Sequence, residues 1–77
     1  MAKLILYNLP GCQYCKRVRD LLDKKGLKYE IKNVPPNRQD RREVIKISGQ
    51  TDVPVLVDGN KVIEDDDNIV PYLEENY

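Results

Sequence analysis

Both cysteines of this chain stand in one seven-residue stretch, Pro10-Gly11-Cys12-Gln13-Tyr14-Cys15-Lys16. Two thiols separated by two residues can close a disulfide, supply half of a metal site, or exchange disulfides with another thiol. A disulfide across so short a gap closes a loop too small to restrain the unfolded chain much, and a reducing compartment would keep it open. Zinc ordinarily takes four ligands, and this chain has two cysteines and no histidine. A metal site would have to be completed by a second chain, by carboxylates or by an external thiol. Exchange needs only what is present: one thiol that ionises, and a second near enough to displace whatever the first has captured.

That chemistry requires a strand and a helix to meet at the cysteines. Lys3-Leu4-Ile5-Leu6-Tyr7 is a nearly continuous apolar run, the pattern of a central strand covered on both faces. After it, Tyr14, Val18, Leu21 and Leu22 recur at helical spacing, Lys16, Arg17, Arg19, Asp20, Asp23 and Lys24 fill the other positions, and Gly26 supplies a stop. Cys12 is thereby placed at or next to the helix N-cap, where free N–H groups and the positive end of the helix favour a thiolate. Cys12 is the expected nucleophile. Cys15, nearly one turn further on, is within reach of a mixed disulfide on Cys12 and is the expected resolving residue. Lys16 and Arg17 are expected to add positive charge nearby.

The remaining elements read in order. Leu27 to Ile31 alternates apolar with charged residues, a half-buried strand nearer a sheet edge, and strand-helix-strand makes a right-handed crossover with parallel strands. Asn37 can cap a second helix, whose apolar side is Val44, Ile45 and Ile47 and whose end is Gly49. Arg38, Arg41 and Arg42 are expected on a solvated face of it, or else one of them reaches a substrate carboxylate. Asp52 to Val57 is a third strand, and Asp58-Gly59-Asn60 turns it into a fourth, Lys61-Val62-Ile63. Asp65, Asp66 and Asp67 open a last helix carrying Ile69, Val70, Tyr72 and Leu73, in which Pro71 fits only within the first turn or with local distortion. The expected architecture is α/β, β-α-β-α-β-β-α, a four-stranded mixed sheet flanked by three helices. A strand, a Cys-x-x-Cys helix and a βαβ unit together point to a thioredoxin-like redox fold.

Seventy-seven residues are expected to form one domain, 1–77. Thirteen basic and thirteen acidic residues cancel, so nothing in the overall charge suggests nucleic acid or an anionic membrane as partner. No apolar run approaches the ~20 residues needed to span a bilayer, and the first residues lack the pattern of a secretory signal. A cytoplasmic monomer is the expectation.

Three segments resemble a known family: Leu6-Tyr7 through Cys12-Gln13-Tyr14-Cys15, Val44 through Ser48-Gly49-Gln50-Thr51-Asp52-Val53-Pro54, and Ile69-Val70-Pro71-Tyr72-Leu73. Together they look like a glutaredoxin, and the last third looks equally like the N-terminal thioredoxin-fold domain of glutathione transferases. The resemblance implies a thiol-disulfide oxidoreductase with no tightly bound cofactor or metal. Its co-substrate would be glutathione or a similar low-molecular-weight thiol, and its targets protein or small disulfides. It further implies that Tyr14, Val53 and Pro54 line the thiol site, that Pro54 is cis, and that the Val53 backbone binds the cysteinyl part of the thiol. Asp66 and Asp67, at the start of the last helix, would hold its γ-glutamyl end. Gln13 stands where the family usually has proline, Leu9 where it often has lysine, and Asp52 where threonine commonly precedes Val-Pro. Two other readings share the motif: a dimeric [2Fe–2S] carrier in which each chain offers Cys12 and external thiols complete the site, and a non-catalytic thioredoxin-fold binding module. Transferase activity is not expected, because the chain has no helical domain to form an electrophile site.

Overall fold

The computed structural model describes residues 4–77; Lys3, part of the expected first strand, lies outside the described residues. The elements are β1 (Leu4–Asn8), α1 (Gln13–Lys24), β2 (Tyr29–Asn33), a 3₁₀ turn (Arg38–Asp40), α2 (Arg42–Ser48), β3 (Val55–Asp58), β4 (Lys61–Glu64) and α3 (Asp66–Asn76). They form one four-stranded sheet of order β2-β1-β3-β4. β1 runs parallel to β2 and antiparallel to β3, and β3 runs antiparallel to β4. This is the expected β-α-β-α-β-β-α arrangement with a mixed sheet.

The unbroken apolar run of β1 is explained by its central place. Leu4 and Leu6 point to one face and pack with Val18 and Leu22 of α1, Leu56 of β3, and Ile69 and Leu73 of α3. Tyr7 points to the other face, where it meets Val34, Val44 of α2 and Val55, with Ile5 packed alongside. Two helices therefore cover one face and α2 covers the other. The α1 helix stops as expected. Gly26 takes a φ of 68° beyond the C-cap Lys25, and the N–H groups of Gly26 and Leu27 return to the carbonyls of Asp23 and Leu22, each at 3.0 Å.

Five details differ from the sequence reading. β3 begins at Val55, beyond Pro54, rather than at Asp52. β2 begins two residues late, at Tyr29, because Leu27 is used to close α1. Asn37 caps the 3₁₀ turn, through Gln39 N–H at 3.0 Å, and α2 starts only at Arg42 without a side-chain cap. Arg41 is not on a solvated face: it is 6% exposed, and its guanidinium donates to the carbonyls of Pro35 at 2.9 Å, Thr51 at 2.8 Å and Pro36 at 3.2 Å. It ties the loop before α2 to the loop after it. Pro71 lies inside α3, beyond its first turn, which leaves the Asp67 carbonyl without an intrahelical donor. The end of α3 is fastened to the β3–β4 hairpin, where Tyr72 and Tyr77 both donate to Asp58 Oδ2, at 2.5 and 2.9 Å.

Pro71 is exposed, so Pro71→Ala should restore the helical bond and raise the urea stability by about 1–3 kcal/mol; an unchanged or lower midpoint would show that the proline ring stabilises α3 in some other way. Arg41→Met should cost about 2–4 kcal/mol by removing three charge-assisted bonds. Arg41→Lys should recover less than half of that loss in the same measurement, since one ammonium cannot reproduce the guanidinium fork.

Candidate active site

The path into the site is a turn. Pro10 and Gly11 are its middle residues, the Cys12 N–H donates to the Leu9 carbonyl at 3.1 Å, and Gly11 has a φ of 85°. Proline followed by a residue at positive φ is a type II turn, and only glycine adopts that third position without strain. The turn delivers Cys12 to the N-cap of α1 with extended backbone angles. There the carbonyl accepts the first helical bond, from Lys16 N–H at 3.0 Å, and Sγ accepts the Cys15 N–H at 3.4 Å. A sulfur stands where a serine or aspartate oxygen ordinarily caps.

The two thiols differ in their surroundings. Cys12 is half-buried, whereas Cys15 is fully buried and faces the core. Burial pushes the Cys15 thiol up from 9.0 to about 12, with a smaller opposing effect from the Leu9 backbone. Beneath the turn, Asn8 is 3% exposed and joins three elements. Its Nδ2 donates to Asn33 Oδ1 of β2 at 2.9 Å, and its Oδ1 accepts the Arg19 guanidinium of α1 at 2.5 Å.

Arg17 and Lys16 are engaged elsewhere than the sequence reading placed them. Lys16 pairs with Asp20 at 2.8 Å. Arg17 Nη1 bridges to α3, donating to Asp66 at 2.8 Å and Asp67 at 2.9 Å. The side chain of Asp66 is 7% exposed and that of Asp67 80%. Burial acts to raise the Asp66 carboxyl, but hydrogen bonds from Arg17 and Asp65 outweigh it and hold the group below the ordinary carboxylate range. Asp65 is shifted the other way, upward, by its hydrogen bond with Asp66, by partial desolvation and by the neighbouring charges. Asp65 is also the N-cap of α3, at a φ of 76°, and its N–H donates to the Pro54 carbonyl at 3.1 Å. The Val53–Pro54 bond is cis, as the resemblance implied, and Pro54 is buried.

An open groove of about 670 Å³ runs past these elements, lined by Tyr14, Arg38, Gln50, Asp52, Val53, Glu64, Asp65, Asp66 and Asp67. Of the residues the sequence singled out, Tyr14, Val53, Asp66 and Asp67 meet along it. Cys12 caps the helix that carries Tyr14, while Cys15 and Pro54 lie in the interior behind. Among the described residues neither the N–H nor the C=O of Val53 has a hydrogen-bond partner. Arg38, the one arginine of the three to reach the groove, contacts Asp52 at 2.5 Å. Gln50 and Glu64 were not foreseen. Gln50 is drawn in by its amide, which bonds Ser48 and the Asp52 backbone at 3.0 Å each, a local loop contact that no periodic pattern reveals.

Comparison with known proteins places this arrangement. A family model described as the glutathione S-transferase N-terminal domain matches residues 6–77. Glutaredoxin 3 of Escherichia coli strain K12 is 35% identical over 63 residues, covering 80% of this chain and 76% of that protein. A zeta-class glutathione S-transferase of Euphorbia esula is 44% identical over 79 residues, 97% of this chain and 33% of its own length, so this chain spans about a third of that relative. The crystal structure of a glutaredoxin from Archaeoglobus fulgidus superposes with a TM-score of 0.76 at 29% identity, covering 96% of this chain and 85% of the other. The cysteine-capped helix, the cis-proline loop and these likenesses agree, and the chain belongs to the glutaredoxin-like, thioredoxin-fold proteins whose family includes the glutathione S-transferase N-terminal domains.

Proposed function

We propose that the chain is a dithiol oxidoreductase in which Cys12 attacks a disulfide and Cys15 resolves the product. The observation that carries this reading is the asymmetry of the pair: Cys12 is accessible at a helix N-cap with an N–H group on its sulfur, and Cys15 is enclosed one turn behind it. In the first step the Cys12 thiolate forms a bond to one sulfur of the substrate, the substrate S–S bond breaks, and the other sulfur leaves as thiolate. In the second, Cys15 loses its proton, attacks Cys12 Sγ and expels the captured thiol, leaving a Cys12–Cys15 disulfide to be reduced by external thiol. Burial of Cys15 suits that order, because it disfavours the second thiolate until a mixed disulfide is present to receive it.

Glutathione, or a thiol like it, fits the groove as co-substrate. The unpaired Val53 backbone can pair with the peptide backbone of the thiol. The α3 N-terminus with Asp66 and Asp67 faces its ammonium-bearing end. Tyr14, 65% exposed, offers a ring to cover the cysteinyl part.

Intact mass of the Cys15→Ser protein after exposure to glutathione disulfide tests this. One glutathione adduct per chain is expected, and none on Cys12→Ser; absence of an adduct while Cys12 still reacts with a generic disulfide would remove glutathione from the scheme. In the wild type, iodoacetamide near neutral pH should modify Cys12 alone until denaturant is added, and equal labelling of both cysteines would contradict the assignment of roles. The Cys15 shift also has a thermodynamic sign. Between pH 9.0 and about 12 the unfolded chain releases the Cys15 proton while the folded chain keeps it, so folding stability drops as pH rises through that window. The stability difference between wild type and Cys15→Ala should therefore shrink from pH 8 to pH 11, and a constant difference would show that Cys15 titrates normally.

A further inference from the structure

The groove holds more negative charge than its cations neutralise. Its lining contributes Asp52, Glu64, Asp65, Asp66 and Asp67 against a single cation, Arg38. Arg38 is already paired with Asp52 at 2.5 Å, and Arg17, reaching in from α1, is shared by Asp66 and Asp67. Among the described residues Glu64 and Asp65 have no cationic side chain within ion-pair distance. The two guanidiniums thus leave a clear surplus of carboxylates, contributed by the loop before β3, the end of β4 and the start of α3 together.

Glutathione carries two carboxylates and one ammonium, so it brings further negative charge to this surface. It also fills only part of an open groove of about 670 Å³. An extended polypeptide can use both features: Val53 offers a free N–H and C=O for strand-like pairing, and the lining carboxylates can receive basic side chains. We infer that the groove selects a polypeptide disulfide whose cysteine is flanked by lysine or arginine, the basic side chains settling against Glu64, Asp65 and Asp67. This specificity rests on the Cys12 reading above. Cys12 thiolate bonds to the peptide cysteine sulfur, the substrate S–S bond breaks, and the electron pair leaves on the departing thiolate.

The test uses the Cys15→Ser protein, in which the mixed disulfide accumulates. Two single-cysteine peptides, one flanked by lysines and one by glutamates, are each joined by a disulfide to an uncharged nitropyridine thiol, whose release is followed by absorbance. The lysine peptide should react about 10-fold faster at low ionic strength, and the ratio should fall below about 3-fold near 0.5 M salt. Glu64→Gln combined with Asp65→Asn should likewise bring the low-salt ratio below about 3-fold; asparagine preserves capping at position 65. Equal rates, or a faster glutamate peptide, would overturn the selectivity while leaving Cys12 as nucleophile. A lysine preference undiminished in the double variant would remove the groove as its source, and no release from either peptide would overturn both readings.

Discussion

A cysteine sulfur occupies the capping position of α1, and the surrounding structure serves to keep it there. The type II turn through Pro10 and Gly11 sets the backbone of Cys12 extended, the Cys15 N–H meets Sγ, and the Lys16 N–H closes the first helical bond. None of these bonds involves a side chain other than Cys12 itself. The geometry therefore depends on where β1 ends and α1 begins, which is decided by the packing of Leu4 and Leu6 against Val18 and Leu22. Residues 13 and 14, between the cysteines, are exposed and take no part in holding the turn. This accounts for how the fold carries Gln13 at the first position of α1.

The start of α3 is held to the same turn by electrostatics. Arg17 reaches from α1 to Asp66 and Asp67, and the Asp65 amide reaches the Pro54 carbonyl, so helix, cis-proline loop and acidic run form one connected unit. Enclosing Asp66 costs hydration, and Arg17 returns part of it through a short charge-assisted bond. The same carboxylates thus brace two helices and set the potential of the groove. An acidic run that reads in sequence as helix-end decoration is divided by the fold into a buried brace, Asp66, and two outward-facing neighbours.

The framework was legible because its signals are local or periodic: the apolar run of β1, the 3.6-residue pattern of α1, Gly26 and Gly49 at positive φ, and the Asp-Gly turn before β4. What escaped depends on contacts distant in sequence. A buried Arg41 and a solvated one look identical until the loops that supply its carbonyls come together. Arg17 and Asp66 are 49 residues apart, so nothing in either segment announces the pair. Asn8 carried no signal in the sequence, yet it is a buried hub between β2 and α1. Pro71 contradicted local propensity, and the burial of Ile69 and Leu73 overrides it. At the candidate site both cysteines and four groove residues were marked by motif, whereas Gln50 and Glu64 became visible only with the loops in place.

The strand order has one more consequence. Placing β1 and β3 in the middle leaves β2 and β4 as the rims of the sheet, each with a row of backbone groups open to a further strand. Ile31 on one rim and Val62 on the other are 43% and 39% exposed, which makes both attractive to a neighbouring chain. Yet each rim is only four or five residues long and is studded with charge, Glu30 and Lys32 on β2 and Lys61 and Glu64 on β4. Short, charged borders of this kind resist edge-to-edge pairing with another sheet. Both rims of this small sheet are thereby protected from being extended by an exposed strand of another chain.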